Sequence, residues 1–486
     1  MTFDPVAKWD RAVVAPEAMA QADARTIAAG TPQFMLVDRA ARACLRVLRA
    51  GYPRQAVSVL CGPGMNGEDG LALAQMLIEL SWPVEVLRLN NEAPLDEARY
   101  PLLVPHLRPT GVFAPSARSL VIDALFGAGL SRPLDGEAAA LIARINEADA
   151  RVFAIDLPSG VDGASGVVLG CAPRAETTVT FHRLKPGHLM GEGAELCGAV
   201  HLADLGILHE EADTTALWNH PRLWSHLLAP AQREVHKYAR GGVAVIGGPG
   251  LKGGAARLAA RAASMAGAGA VTFLSPVSAA EYAASQFDAV MVRRIQTSQD
   301  LHVALSQKMR AVVVGPGMGH GDASAERLHT ALGSGLPAVV DADALTLYTD
   351  APDTLFQALH EGCVLTPHEG EFARLFPDIT GSKLDRARLA AERSGATVLL
   401  KGATTVIAAP GEVPVISTQG SPALATAGSG DCLAGVIGAL LAQGLSPYAA
   451  ASIGAWVHGE AGRTAPMSLN ADALPARIAE VLGGLL

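Results

Sequence analysis

The stretch Ala56-Val-Ser-Val-Leu60-Cys-Gly-Pro-Gly-Met65-Asn-Gly-Glu-Asp-Gly70 is a short apolar run that ends in a glycine-rich turn and passes into an amphipathic segment reaching Leu80. An apolar run of this length bounded by glycines reads as a strand buried on both faces, and the Ala/Leu-rich segment after it as the helix of a βα unit. The spacing Gly62-x-Gly64-x-x-Gly67 satisfies the dinucleotide fingerprint, in which glycines let backbone N–H groups and a helix N-terminus approach a pyrophosphate. A dehydrogenase would carry Asp or Glu at the end of the next strand to hold ribose hydroxyls, yet Val84 to Asn90 ends in Asn. That counts against an ordinary nicotinamide cofactor site.

The same pattern recurs outward from this unit, at Leu120 to Ile122, Val152 to Ile155, Val243 to Ile246, Ala311 to Val314, Ala338 to Val340 and Thr397 to Leu400. Both halves are therefore expected to be α/β, with ligands at the carboxyl ends of parallel strands. The segment Glu210 to Gln232 shows no strand pattern and mixes His, Trp, Pro and acidic residues, which puts a domain boundary near residue 220, with domains 1–220 and 221–486. A length of 486 residues fits two hydrophobic cores better than one.

A net charge of −9 without a basic block excludes an electrostatic footprint for nucleic acid or an anionic membrane, so a small-molecule partner is expected. Half the residues are hydrophobic, but glycine interrupts them too often for a membrane span, and the N-terminus lacks the charge and apolar pattern of a signal peptide; a soluble, cytoplasmic protein is the expectation. The six cysteines are far apart, with no C-x-x-C pair and no metal-ligand spacing, and read as reduced, mostly buried thiols.

Two strand ends in the first half carry polar residues, Val121-Ile-Asp123-Ala-Leu-Phe-Gly-Ala-Gly-Leu130 and Ala154-Ile-Asp156-Leu-Pro-Ser159-Gly. Carboxylates at successive strand ends of a parallel sheet converge on one crevice, although a lone strand-end Asp caps a turn about as often. With the Gly-Pro-Gly-x-Asn-Gly-x-Asp-Gly loop and Thr180-Phe-x-x-x-Lys185-Pro-Gly, these motifs resemble the NAD(P)H-hydrate epimerase family over residues 15 to 210. The resemblance implies a Rossmann-like α/β/α domain. In it Asn66, Asp123 and Ser159 would hold a potassium ion, and Met65, Asn66, Gly67, Glu68 and Asp69 would meet the substrate. Gly127, Ala128, Gly129, Leu130, Ser131, Arg132 and Pro133 would line its phosphates, while Asp156 would contact the nicotinamide hydrate and move protons. The loop departs from the family pattern at Met65 and Glu68, where Asn and Gly are common, and Glu68 would bring negative charge toward the phosphates.

In the second half the strands open into Gly315-Pro-Gly-Met-Gly319, Asp341-Ala-Asp343-Ala-Leu and Leu365-Thr-Pro-His368-Glu-Gly-Glu371, and then Ala427-Gly-Ser-Gly430-Asp431-Cys-Leu-Ala-Gly435 starts an apolar helix. N–H groups at a helix N-terminus form an anion hole, and an Asp there can take the proton of a hydroxyl attacking phosphorus; a helix-capping Asp431 is the plain alternative. Together with His236-Lys237 and Leu400-Lys401-Gly-Ala-Thr404, these motifs resemble the ribokinase-like superfamily, and within it the ADP-dependent NAD(P)H-hydrate dehydratases, over residues 234 to 485. The resemblance implies that Ala255, Gly317, His368 and Asp431 contact hydrated NADH or NADPH, that Lys401, Gly402, Ala403, Thr404, Thr405 and Gly430 bind ADP with Mg2+, and that Asp431 is catalytic. It also implies a homo-oligomer. Two other readings stay open at this point: a ribokinase-type small-molecule kinase, or a first half that has lost its activity and serves as a binding module.

Overall fold

Val57, Val59, Leu60 and Cys61 are buried on one five-residue strand, and a strand apolar on both faces is stable only inside a sheet that helices cover on both sides. In the computed structural model, which describes residues 2–89, 94–228, 240–306 and 308–486 (Leu251 by its backbone only), that strand is β1 (Val57–Cys61). It is joined by β2 (Val84–Arg88), β3 (Leu107–Arg108), β4 (Leu120–Ala124), β5 (Arg151–Ile155), β6 (Thr177–Phe181) and β7 (Ala199–Ala203). The order is β3-β2-β1-β4-β5-β6-β7, and every pairing is parallel. Strand order reverses between β1 and β4, so a crevice opens at their carboxyl ends. The helix Gln33–Gly51 buries Leu36, Val37, Ala40, Ala41, Cys44 and Leu48, the helical stripe that covers such a sheet.

A second sheet follows, from β8 (Ala216–Trp218), β9 (Gly242–Ile246), β10 (Ala270–Pro276), β11 (Met291–Ile295), β12 (Met309–Val314), β13 (Ala338–Val340), β14 (Cys363–Leu365), β15 (Thr397–Leu400), β16 (Thr405–Ala408) and β17 (Val415–Ser417). Its order is β8-β17-β16-β15-β14-β13-β12-β9-β10-β11. The run from β15 to β11 is parallel, while β16 is antiparallel to both β15 and β17. The apolar helix Ser429–Ala442 packs under β12, with Gly435 and Gly438 among its buried residues.

The chain divides into two units, Ala12–Ala216 and Leu217–Leu486 together with Met1–Arg11. The sequence reading of domains 1–220 and 221–486 gave residues 1–11 to the first half; of these, the described residues 2–11 pack within the second unit. Phe3 lies 4.9 Å from Tyr448 between ring centroids, and the Asp4 N–H donates to the Leu223 carbonyl at 2.9 Å. The segment Glu210 to Gln232 also departs from its reading, because Leu217 and Trp218 pair in parallel with Val415 and Ile416. Trp224 is fully buried there and donates to Asn219 Oδ1 at 2.9 Å, so tertiary packing forms a strand too short for a sequence pattern to reveal. His236, Lys237, Asn90 and Gln232 lie outside the described residues. Among the described residues no helix is long and apolar enough to cross a membrane.

Candidate active sites

In the first unit the ends of β1, β4 and β5 open on a cavity of about 730 Å3. Met65, Asn66, Asp69, residues 127–132 and Asp156 line it; Gly67, Glu68, Pro133, Asp123 and Ser159 do not. Asp123 and Ser159 lie fully buried just behind. Ser159 donates to Asp123 through its hydroxyl at 2.6 Å and its N–H at 2.8 Å, and the Phe126 N–H donates to Ser159 Oγ at 2.9 Å. Gly127 shows how tightly the site converges: a Cβ on it would stand 2.7 Å from Asp156 Oδ2 and 3.4 Å from Asn66 Oδ1, so only glycine leaves room for both side chains. Asn66 is buried, and neither its amide oxygen nor its amide nitrogen has a partner among the described residues. A buried amide left so carries a cost of roughly 1–3 kcal/mol, which a ligand would relieve.

Asp156 is a non-glycine residue at φ +67°, a conformation costing on the order of 1 kcal/mol, and its bonds hold it there. Oδ1 accepts from Lys185 Nζ at 2.8 Å and Thr180 Oγ1 at 2.9 Å, Oδ2 accepts from the Ala128 N–H at 2.8 Å, and the carbonyl meets His188 Nε2 at 2.7 Å. Burial works against its charge, but the Lys185 ammonium and these donors hold it at about 2. Burial and Lys185 push His188 down to about 4. A neutral ring fits its contacts, since Nδ1 accepts the Lys185 N–H at 3.0 Å and Nε2–H is left to donate to Asp156.

Glu68 corrects the sequence reading. Its carboxylate turns away from the cavity to Arg99 at 3.0 Å and to the Tyr100 hydroxyl at 2.9 Å, so its charge is neutralised on the outer face of the helix Met65–Glu79. The structure adds residues that had no role in the sequence reading. Lys185 stands in the motif Thr180-Phe-x-x-x-Lys185-Pro-Gly, and Asp23 in none. Met19, Asp23 and Ile27 recur at i, i+4 and i+8 on the helix Pro16–Ala28, and all three line the cavity. A carboxylate inside such an apolar stripe is the signal that could have revealed it.

In the second unit Asp431 is the third residue of the helix Ser429–Ala442, whose first-turn N–H groups have no intrahelical acceptor. Gly428 precedes the helix at φ +94°, a conformation open to glycine. Lys401 follows β15 and binds Asp341 Oδ1, at the end of β13, at 2.9 Å; Asp341 is fully buried. A Cβ on Gly430 would lie 3.4 Å from Lys401 Nζ, so this cation stands at the helix N-terminus. Burial, then Asp341, push Asp431 up to about 7 against the pull of Lys401. A carboxylate so poised suits general-base work near neutral pH.

His368 caps the helix Glu369–Leu375, accepting from Gly370 N–H at 2.9 Å, while Glu371 accepts the His368 N–H at 2.8 Å. Gly317 and Ala255 are neighbours, 3.3 Å apart from a Cβ on Gly317 to that of Ala255. Gly402, Ala403 and Thr404 form the turn between β15 and β16, which Thr405 begins, and Lys383 Nζ donates to the Lys401 carbonyl there at 2.8 Å. His458, unassigned in the sequence reading, is buried behind the anion hole with Nε2 2.9 Å from the Ser429 carbonyl.

The family described as YjeF-related protein N-terminus matches residues 33–187, and the one described as NAD(P)H-hydrate dehydratase matches residues 243–482. A Coxiella burnetii protein named bifunctional NAD(P)H-hydrate repair enzyme Nnr is 34% identical over 89% of this chain and 90% of its own length. The chain belongs to the bifunctional NAD(P)H-hydrate repair enzymes. Relatives of the same name in Escherichia coli, 34% identical over 92% of this chain and 86% of theirs, and in Mycobacterium tuberculosis, 37% over 83% and 82%, agree. A solved Bacillus subtilis structure described as an ADP/ATP-dependent NAD(P)H-hydrate dehydratase co-crystallised with ATP/Mg2+ is 25% identical, covers 53% of this chain and 95% of that one, and has a TM-score of 0.46. In the layout of this repair-enzyme family, β1–β6 fall in the first matched part and β9–β17 in the second.

Proposed function

We propose that the chain repairs hydrated NADH and NADPH in two steps, interconverting the R and S hydrates in the first unit and dehydrating the S form at the expense of ADP in the second. The observation that carries this reading is the presence of both constellations on one polypeptide: Asp156 locked to Lys185 at a strand-end cavity, and Asp431 poised beside Lys401 at a helix N-terminus.

In the first cavity Asp156 meets the nicotinamide hydrate as a carboxylate, which favours positive charge developing on the ring. The glycine-rich turn at 127–132 receives the phosphates. A potassium ion fits the donor set, because the unpartnered Asn66 oxygen and the buried oxygens of Asp123 and Ser159 are hard ligands; the Asn66 amide nitrogen is then left to donate to a phosphate. When bound, that ion supplies positive charge beside the nucleotide.

In the second unit Ala255, Gly317 and His368 contact the hydrate, and Lys401 to Thr405 with Gly430 take ADP, which brings Mg2+ with it. Asp431 removes the proton of the ring hydroxyl as its oxygen attacks the terminal phosphorus of ADP and the bond to AMP breaks. The first-turn N–H groups, with Lys401 near, hold the transferring group. The ring nitrogen then expels phosphate, and loss of a proton from the adjacent ring carbon yields the dihydronicotinamide.

The test is an equilibrated mixture of both NADH-hydrate epimers, incubated with ADP, ATP or neither, following reduced-nicotinamide absorbance. Complete conversion with ADP, faster than the epimers interconvert unaided, is the expected result. A fast phase that stops at one epimer's share defeats the epimerase assignment, and no nucleotide-dependent recovery defeats the dehydratase.

A further inference from the structure

The cavity of the first unit holds three carboxyl groups, Asp23, Asp69 and Asp156, with Lys185 and Arg132 the cations that line it. They do not have equal freedom. Both oxygens of Asp156 are engaged by Lys185, Thr180 and the Ala128 N–H, so this group enters the reaction charged and already bonded. Asp69 lies against the Asn66 turn, buried on the helix Met65–Glu79. Asp23 reaches the cavity from the helix Pro16–Ala28; its carboxyl, like that of Asp69, has no hydrogen-bond partner among the described residues, but Asp23 is only half-buried where Asp69 is buried.

We propose that Asp23 is the proton carrier of the epimerisation, giving its carboxyl proton to the ring hydroxyl and later recovering it, while Asp156 serves as the fixed counter-charge. This rests on the epimerase reading of the cavity and goes beyond it by moving the proton away from the residue to which the sequence assigned it. One balanced route that inverts the hydroxyl-bearing carbon breaks its C–O bond and re-forms it on the other face. As Asp23 protonates the departing oxygen, the ring nitrogen's lone pair forms a C=N bond, water leaves, and the ring carries one positive charge facing Asp156. Water then adds to the opposite face, the electron pair returns to nitrogen, and the released proton returns to Asp23 through the water of the cavity. No proton or electron is consumed overall.

The electrostatics divide the roles in the same way. Burial, reinforced by Asp156 and opposed by Lys185, raises Asp23 to about 6, where acid and base forms are both populated near neutral pH. Asp156, at about 2, has no proton to give there. Asp69 is pushed well up by burial and by its carboxyl neighbours. Two carboxyl groups held apart in this way mark the acid and the charge stabiliser of one site.

The experiment uses the full chain and a single purified NADH-hydrate epimer without ADP, with interconversion followed by chromatography and the unaided rate subtracted. Expected for D23N is a fall in kcat of about 100-fold or more with KM within about threefold, partial recovery in D23E, and loss of the limb near pH 6 that the parent shows. D23S repeats the removal with a smaller side chain should D23N unfold at a lower temperature than the parent. A kcat in both D23N and D23S within about threefold of the parent, or a limb near pH 6 that persists without Asp23, overturns the proposal. A parent chain that does not exceed the unaided rate overturns the epimerase reading itself, and Asp23's role with it, before any variant is made.

Discussion

Lys185 Nζ sits 2.8 Å from Asp156 Oδ1, its own side chain closed off from solvent and that of Asp156 partly open to the cavity, and donates as well to Thr180 Oγ1 at 2.9 Å and the Phe181 carbonyl at 3.2 Å. The ammonium thus fixes the charge and the position of the carboxylate together. In K185M the opposing effect of burial prevails and Asp156 titrates well above 2, which carbon-13 NMR of the carboxyl would register. Epimerisation should fall by about 100-fold or more at neutral pH. The linkage sign follows from the depressed value: the stability Asp156 contributes is complete above its unfolded value near 4, and is lost as pH falls through about 2. A K185M chain that epimerises at the parent rate would show that the pair serves folding alone.

Glu68 yields the opposite expectation. Its partners Arg99 and Tyr100 hold it outside the cavity, so E68Q should change the epimerase KM by less than about threefold, the scale of an exposed ion pair worth 0.2–1 kcal/mol. Steady-state kinetics with purified hydrate decide this. A tenfold or larger improvement would mean that the Glu68 charge does reach the phosphates.

How much of this was legible in the sequence follows from the range of each interaction. The strands around Leu60, Ile122, Ile155, Ile246, Val314, Val340 and Leu400 all form at short apolar runs, because a buried parallel strand declares itself locally. The strand Ala216–Trp218 was invisible, since its pairing partner Val415–Ser417 lies about 200 positions away. At the sites, motifs brought Asn66, Asp123, Asp156 and Ser159 to one strand-end cluster, and Lys401 and Gly430 to another. Charge partnerships were not legible. Whether Asp156 carries or lacks a proton depends on Lys185, 29 residues on, and the direction of Glu68 depends on Arg99, 31 residues on.

The pair between Lys401 and Asp341 is the counterpart in the second unit. Asp341 Oδ1 takes Lys401 Nζ at 2.9 Å with almost no exposure of its own. K401M leaves that carboxylate buried without its cation, and the expected loss is on the order of 3 kcal/mol in denaturant unfolding, with dehydratase activity lost as well. Adding D341N should restore much of the stability but little of the activity, because the positive charge beside Gly430 is still missing. Equal recovery of both would deny Lys401 any part in holding the transferring phosphoryl group.

Asp431 joins activity and stability through one proton. Its value of about 7, raised first by burial and next by Asp341, predicts that dehydratase kcat/KM climbs with pH to a limb near 7, as the carboxyl becomes the base that the ring hydroxyl needs. The linkage runs the other way. A carboxyl raised in the folded state favours folding while protonated, so the chain loses stability as pH rises from the unfolded value near 4 through about 7. D431N, uncharged at every pH, should abolish dehydration by about 1,000-fold or more, yet unfold at a higher denaturant concentration than the parent at pH 8, by on the order of 1–2 kcal/mol after allowance for its partial exposure. Near pH 4 the two chains should unfold together. A D431N chain less stable than the parent at pH 8 would instead make the Asp431 charge a stabiliser of the helix N-terminus, where it stands in the first turn.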